Sequence, residues 1–377
     1  MSDLSPQLRY HSVQPQSIKT AYSEFDNLDF LIACGPGRSL VQNSVRITGE
    51  VFITSATGTR TTGGRLFDPR IGAHAFIESL QVTSANQGML ENIGQSYARY
   101  VGMAGVASLA DNDYLNAKHV CELKAINENV MVKYANGIAP QLTTATAIIE
   151  NADFSIKPMC ALNKTSGGNV PFNTTGTITL TLNLARQMSA LYGQLQDAAT
   201  DYELSNVRVT FNSMPDSKTP QPLSMRTIHC VKSNILSGSA TISANVNAVC
   251  DAVSISLLKQ ANENQPQMNN YALEHIKDFN QVQYLFNDQT NSLVTYRISD
   301  TTEVLQRFVD SMYDSGHNQV ALSKFRGNNG WGMGLSFESQ IDLSRNTFTM
   351  ELESGVGSGA ANEPYAVFMY FHSQLTL

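Results

Sequence analysis

The chain has 377 residues, a net charge of −7 and only 15% charged residues, against 42% apolar residues. This length exceeds what one hydrophobic core normally organises, so about two domains are expected. The acidic balance, with no Lys/Arg-rich arm, argues against sequence-specific or high-affinity binding to nucleic acid, which depends on many phosphate contacts. Neutral polar side chains replace the missing charges, and other protein can cover such a surface without desolvating many ions.

Export and membrane signals are absent from the sequence pattern. The segment Met1–Gln16 is polar and lacks the basic and apolar regions of a signal peptide. The longest apolar cluster, Tyr365–Phe371, is strand-sized and far shorter than the ~20 residues that span a bilayer. The cysteines are odd in number and follow no CxxC spacing, which predicts free, buried thiols in a reducing compartment. They are Cys34, Cys121, Cys160, Cys230 and Cys250.

Alternation of apolar and polar residues with period two is the strongest local signal. It first appears at Ser44–Thr54, where Phe52 alone breaks the pattern, and it recurs at Thr177–Leu184, Val207–Phe211, Ala240–Val246 and Phe348–Leu352. Further strand-like stretches are Leu28–Ala33, Ala75–Thr83, Ala147–Ile156, Val253–Leu258, Leu293–Ile298 and Tyr365–Phe371. Turn residues separate them at Gly35-Pro36-Gly37, Gly63-Gly64, Asp68-Pro69, Gly167-Gly168 and Gly327–Gly330. Many short strands with such punctuation predict an all-β sandwich or barrel.

Helical periodicity is rarer and predicts short excursions between strands. Met89–Val106 carries apolar residues at helical spacing. Asp300 and Glu303 have the spacing of a capping box with Asp300 as N-cap, and the apolar residues that follow lie on one helix face. Gln267–Phe279 is a third predicted helix.

The strongest domain break is the proline-rich segment Ser213–Ser224, because proline resists both helix interiors and central strands. It follows a clear strand and precedes a second run of strands. The predicted division is an N-terminal arm at 1–24, a first sandwich at 25–214, a linker at 215–226 and a second sandwich at 227–377.

The order of these segments resembles the major capsid proteins of the double jelly-roll lineage, found in tailless icosahedral double-stranded DNA viruses and polinton-like elements. Four stretches carry the resemblance: Asp26–Ile53 as an opening strand pair, Phe67–Met103 as a strand with a helical excursion, Tyr202–Asp216 as a closing strand, and Ser233–Leu258 as the start of a second roll. The resemblance implies two antiparallel eight-stranded jelly-roll β-sandwiches in tandem.

The family resemblance also implies a function and partners. Such subunits form homotrimers of pseudo-hexagonal outline, which tile an icosahedral shell. Expected partners are neighbouring capsomers and minor capsid or penton proteins, and the inner end of the subunit is expected to face a membrane or the genome. The expected location is the virion, after synthesis in the host cytoplasm.

Sequence alone offers weak candidates for a chemical site, and we predict no catalytic, cofactor-binding or metal-binding residue. Asp111-Asn112-Asp113 and the His119/Cys121 pair resemble metal ligands, but no second pair at suitable spacing follows. Gly35-Pro36-Gly37 is not a phosphate loop, because proline lacks an amide donor and no Gly-Lys-Ser/Thr follows. The sequons at Asn163 and Asn173 are interpreted as chance matches, and the dispersed histidines as structural.

Two other classes of function remain open at this stage. One is a glycan-binding or host-attachment β-sandwich that uses Trp331, the only tryptophan, in the Gly327–Gly334 loop. The other is a β-sandwich hydrolase that acts on glycans, which needs two carboxylates in a cleft. Two sandwiches of similar size favour the shell subunit over a single-domain spike.

Overall fold

A computed structural model describes residues 8–54, 66–67, 71–108, 122–123, 152–192, 201–217, 222–236, 239–265, 279–286, 295–314, 332–354 and 364–376. Strands dominate these residues and pair almost entirely in antiparallel fashion. The prediction of an all-β chain is therefore confirmed.

The strands of the first half are β1 (Arg9–Val13), β2 (Asn27–Ile32), β3 (Arg38–Leu40), β4 (Arg46–Thr54), β5 (Leu66–Phe67), β6 (Ile77–Ser84), β7 (Gly88–Ile93), β8 (Ala152–Ile156), β9 (Thr165–Ser166), β10 (Val170–Pro171), β11 (Ile178–Leu184), β12 (Leu191–Tyr192) and β13 (Asp201–Pro215). Those of the second half are β14 (Ser224–Ile235), β15 (Ala240–Ala244), β16 (Val249–Lys259), β17 (Phe279–Phe286), β18 (Thr295–Ile298), β19 (Met333–Asp342), β20 (Phe348–Ser354) and β21 (Tyr365–Thr376).

Among the residues that the structure describes, helices are few and interrupt the strands. The α-helices are α1 (Tyr97–Ser108), α2 (Phe172–Thr175), α3 (Gln187–Ala190) and α4 (Thr301–Asp314), and short 3-10 helices span Gly72–Phe76, Ala161–Asn163 and Gln260–Asn262. Thr302 N–H donates to Asp300 Oδ1 at 2.7 Å at the start of α4, so the predicted N-cap is confirmed. Glu303 bonds Arg307, one turn further on, at 3.4 Å.

Three sheets build two sandwiches. The first has the order β10-β3-β13-β4-β8, with β1 paired to β13, and the last has the order β15-β20-β17-β18. Between them runs one long sheet, β19-β16-β21-β14-β7-β6-β11-β2, with β9 paired to β14. The long sheet takes four strands of its main path from each half of the chain.

Two hydrophobic cores lie on the two sides of this arrangement. The smaller is drawn only from the second half, between Ile235 and Phe371. The larger is drawn mainly from the first half and continues onto Phe308 of α4 and Phe368 and Tyr370 of β21. Strand β21 is buried on both faces from Tyr365 to Ser373, so its alternate residues serve different cores.

Most predicted strands are confirmed, and β11 shows the expected burial alternation along its whole length. The predicted helix at Met89–Val106 is wrong in its first part. Residues Gly88–Ile93 form β7, which pairs with β6 and touches β14, and the helix begins only at Tyr97. Sheet pairing on both edges outweighs the local helical spacing here, as tertiary context often does.

One further predicted strand has a different first residue in the structure, and one predicted helix falls almost entirely outside the described residues. The stretch Ala75–Thr83 begins within a 3-10 helix, and its strand starts at Ile77. The predicted helix at Gln267–Phe279 lies outside the described residues except for Phe279, which begins β17. The domain boundaries and the count of eight strands per sandwich stay predictions.

Candidate functional site

The sequence candidates for chemistry fall mostly outside the described residues. These are Asp111-Asn112-Asp113, His119, Cys121 and Trp331. Within the part of the chain that the structure describes, no group of three His, Cys, Asp or Glu side chains is placed to hold a metal ion. No helix of that part is long and apolar enough to cross a bilayer.

Two described histidines are bonded inside the protein. His74 Nδ1 lies 3.0 Å from the hydroxyl of Tyr97, and both side chains are buried. His372 Nε2 lies 2.9 Å from Ser254 Oγ, which also lies 3.1 Å from Ser311 Oγ. Ser254 and His372 have the elements of a nucleophile and its base, but both are at most 1% exposed. A substrate cannot reach them in this conformation, so they form a polar bridge within the core.

The two sequons have different environments. The Asn163 amide donates to the carbonyls of Val45 and Pro158, each at 2.9 Å, and its oxygen accepts from Val45 N–H at 3.2 Å. A side chain bonded in this way holds the first sandwich together and is not available for glycosylation in the folded protein. Asn173 is exposed and donates to Asp216 at 3.0 Å.

A polar cleft of about 350 Å³ lies on the outer sheet of the second sandwich. Its lining includes Glu351 and Glu353, which are alternate residues of β20 and therefore share one face. Glu353 is exposed, and no buried acid is found among the described residues that line this cleft. A glycoside hydrolase needs a desolvated general acid, so nothing in this cleft favours hydrolysis over a solvated surface pair.

The best-built polar feature is the seam, defined here as the junction where β14 of the second half meets β7 and β9 of the first half. His229 of β14 is paired in parallel with Asn92 of β7. At the N-terminal end of β14, Ser224 and Met225 pair antiparallel with Ser166 and Thr165 of β9. The seam joins the two sandwiches through backbone pairing and makes the long sheet continuous.

The buried Glu91 side chain hydrogen-bonds both sides of the seam. It is fully buried; Oε2 accepts from Ala161 N–H at 2.6 Å and Oε1 accepts from Ile228 N–H at 3.0 Å. Burial raises the pKa of this carboxyl to about 7, while the nearby Lys164 ammonium and the two amides act in the opposite direction. One carboxyl thus bonds a first-half loop and a second-half strand.

A second part of the seam is a charged cluster around Phe368. The Arg99 guanidinium lies 4.7 Å from the Phe368 ring centroid and the Lys232 ammonium lies 5.2 Å from it, a cation–π arrangement. Lys232 also bonds Glu263 at 2.6 Å. Burial raises the pKa of Glu78, and the Ser96 amide, Lys232 and Arg99 offset that effect.

Ser96 fixes the turn between β7 and α1 at the same place. Its φ of +63° is unusual for a residue with a side chain. Its N–H bonds Glu78, and its carbonyl accepts from the Tyr370 hydroxyl at 2.9 Å. Contacts from β6 and β21 therefore hold this residue in a conformation that costs of the order of 1 kcal/mol.

Several large apolar side chains near the start of the described chain are exposed. Five of them lie between residues 8 and 31: Leu8, Tyr10, Ile18, Phe25 and Leu31. Phe25 is 63% exposed at a φ of +66°, with the Arg186 guanidinium 5.4 Å from its ring. Exposed apolar side chains of this kind can contribute to contacts with other protein.

The geometry therefore defines a protein of two β-sandwiches, joined side by side by one continuous sheet and a buried polar seam. That is the double jelly-roll fold expected from the order of segments. No protein-family model matches the sequence, and no curated protein matches it.

Solved structures do match over the whole chain. The Faustovirus major capsid protein is 8% identical with a TM-score of 0.62, over 99% of this chain and 90% of its own. The mavirus major capsid protein is 11% identical with a TM-score of 0.50, over 96% of this chain and 86% of its own. At these identities the likeness establishes a shared fold.

Proposed function

We propose that the chain is a viral major capsid protein whose homotrimers tile an icosahedral shell. The observation that carries the proposal is the likeness to two major capsid proteins across both sandwiches, over at least 96% of this chain. The division into an arm at 1–24, sandwiches at 25–214 and 227–377 and a linker at 215–226 belongs to the same proposal.

The seam supports this function because a shell subunit must keep its two sandwiches in fixed relative positions. Backbone pairing at the seam, the buried Glu91 and the charged cluster around Phe368 all join the two halves. The exposed apolar side chains between residues 8 and 31 and the low overall charge suit packing against further copies.

The proposed partners follow from this role. They are two further copies in the trimer, neighbouring capsomers, and minor capsid or penton proteins, with the inner end of the subunit facing a membrane or the genome. The proposed location is the virion, after synthesis in the host cytoplasm. The role is structural and includes no catalytic step or cofactor. No specific observation favours the glycan-binding alternative.

The test is the oligomeric state of the purified full chain. Light scattering coupled to gel filtration should give about 124 kDa, three times the 41.2 kDa of one chain. Electron microscopy of the same sample should show particles of pseudo-hexagonal outline. A strict monomer at high concentration, or a dimer, contradicts the proposal.

A further inference from the structure

The N-terminal strap, defined here as Arg9–Val13 (β1), is attached to the first sandwich by few side chains. It pairs antiparallel with Val209–Ser213 of β13 over five residue pairs. Arg9, Tyr10 and Ser12 are exposed, so His11 and Val13 alone are partly covered. Because so little of the strap is buried, the interactions of His11 weigh heavily in its attachment.

His11 makes two contacts with β13. Its imidazole stacks on Phe211, with ring centroids 4.7 Å apart and an interplanar angle of 9°. Its Nε2 lies 2.7 Å from Ser213 Oγ, and Ser213 is fully buried. These contacts place the imidazole at a fixed position on the sandwich surface.

The Ser213 hydroxyl is bonded in a way that suits an unprotonated His11. Arg38 Nε donates to Ser213 Oγ at 2.9 Å, and Arg38 Nη2 donates to the Ser213 carbonyl at 2.9 Å. His11 Nε2 and Arg38 Nε therefore share the same oxygen, at 2.7 Å and 2.9 Å. Protonation of His11 would place a second cation on the oxygen that already accepts from the Arg38 guanidinium, and like charges this close repel each other.

The charged groups around His11 oppose a second positive charge. Arg9 lies on the strap and Arg38 on β3, and both lower the pKa of His11 together with burial, which is the largest cause. Near the same hydroxyl is the Cys34 thiol, whose pKa burial raises. The Asp216 carboxylate, just beyond β13, bonds Ser39 at 2.5 Å and Asn173 at 3.0 Å.

We propose that the strap is an acid-released element, in which protonation of His11 detaches Arg9–Val13 from the first sandwich and uncovers the Val209–Ser213 edge of β13. A histidine with a lowered pKa in the attached strap binds a proton more weakly there than after release. Attachment is therefore strongest above the ordinary pKa of 6.5 and weakens as the pH falls through 6.5 towards the lowered value.

Hydrogen exchange of the purified full chain, read by mass spectrometry at pH 7.5 and pH 5.5, tests the inference. After correction for the intrinsic exchange rates, protection of the strap amides should fall in acid. In the pH range where the imidazole is protonated in the released strap but not in the attached strap, the protection falls by at most about tenfold for each pH unit. Protection of β11, in the interior of the same sandwich, should not fall in acid.

Two variants separate His11 from other acid effects. His11→Phe keeps a ring over Phe211 but cannot bind a proton, so its strap should be equally protected at both pH values. Ser12→Ala changes an exposed residue of the strap and should keep the wild-type response. The inference is overturned if wild-type strap protection is independent of pH, or if His11→Phe loses protection in acid as the wild type does. The oligomeric state of the same sample is read separately by light scattering, so the strap and the proposed trimer are tested by different measurements.

Discussion

Glu91 is a buried acidic residue that the sequence analysis does not single out. It lies on β7, in a stretch with helical spacing, and nothing local marks it as buried. Its burial arises because β7 lies between β6 and β14, and because Ala161 and Ile228 each direct an amide at it. Single-sequence reasoning cannot find such a residue, since both amides come from segments at least 70 positions away along the chain.

The titration of Glu91 should make stability depend on pH. Its pKa is about 7 in the folded protein, against 4.5 when unperturbed. Because the folded value is the higher one, the stabilising contribution is full below pH 4.5 and is lost as the pH rises through 7. Urea unfolding at pH 4 and pH 8 gives the free energies of unfolding of the wild type and of Glu91→Gln. The wild-type value minus the variant's value should fall by roughly 3 kcal/mol from pH 4 to pH 8.

A matched control for this measurement is Glu353→Gln on the exposed face of β20. It should follow the wild-type pH dependence, because its carboxyl is in contact with solvent in both states. If Glu91→Gln also follows the wild-type curve, the raised pKa of Glu91 is wrong.

At the scale of the elements, the sequence predicts strands that bury one face. For strands that bury both faces, it does not show which core each face joins. β11 alternates because Ile178, Leu180 and Leu182 face the core while their neighbours are partly solvated. β21 was predicted as a strand from its apolar run, but the run does not reveal that its alternate residues serve two cores. That assignment depends on which elements cover each face, and period-two reasoning contains no such information.

Helix α4 lies so close to β19 that a glycine is required between them. A Cβ on Gly334 would meet the Ser311 side chain of α4 and would lie 2.8 Å from the Val253 carbonyl of β16. Gly334→Ala should therefore displace the helix and lower the free energy of unfolding by about 1–3 kcal/mol. Gly35→Ala is the control, because nothing lies within 4 Å of a Cβ there. Equal stability of the two variants in urea would refute the close packing.

At the scale of the whole molecule, the shared strand predicts that the two sandwiches unfold together. β21 supplies Tyr365 and Phe371 to the second core and Phe368 and Tyr370 to the first. Loss of either core therefore exposes one face of β21 and weakens the other core. Hydrogen exchange in increasing urea should show β11 and β20 losing protection at the same midpoint. Two separated midpoints would indicate that the seam does not couple the sandwiches.

The composition predicts how the proposed trimer responds to salt. Charged residues make up only 15% of the chain, and several large apolar side chains between residues 8 and 31 are exposed. Contacts made by such side chains depend mainly on apolar burial, which ions do not screen, whereas salt weakens the attraction between exposed charges, with a Debye length of about 10 Å at 0.1 M salt. The mass by light scattering should therefore stay constant from about 50 mM to about 500 mM NaCl at one protein concentration. Dissociation on raising the salt would show that charged contacts hold the copies together and that the exposed apolar side chains do not.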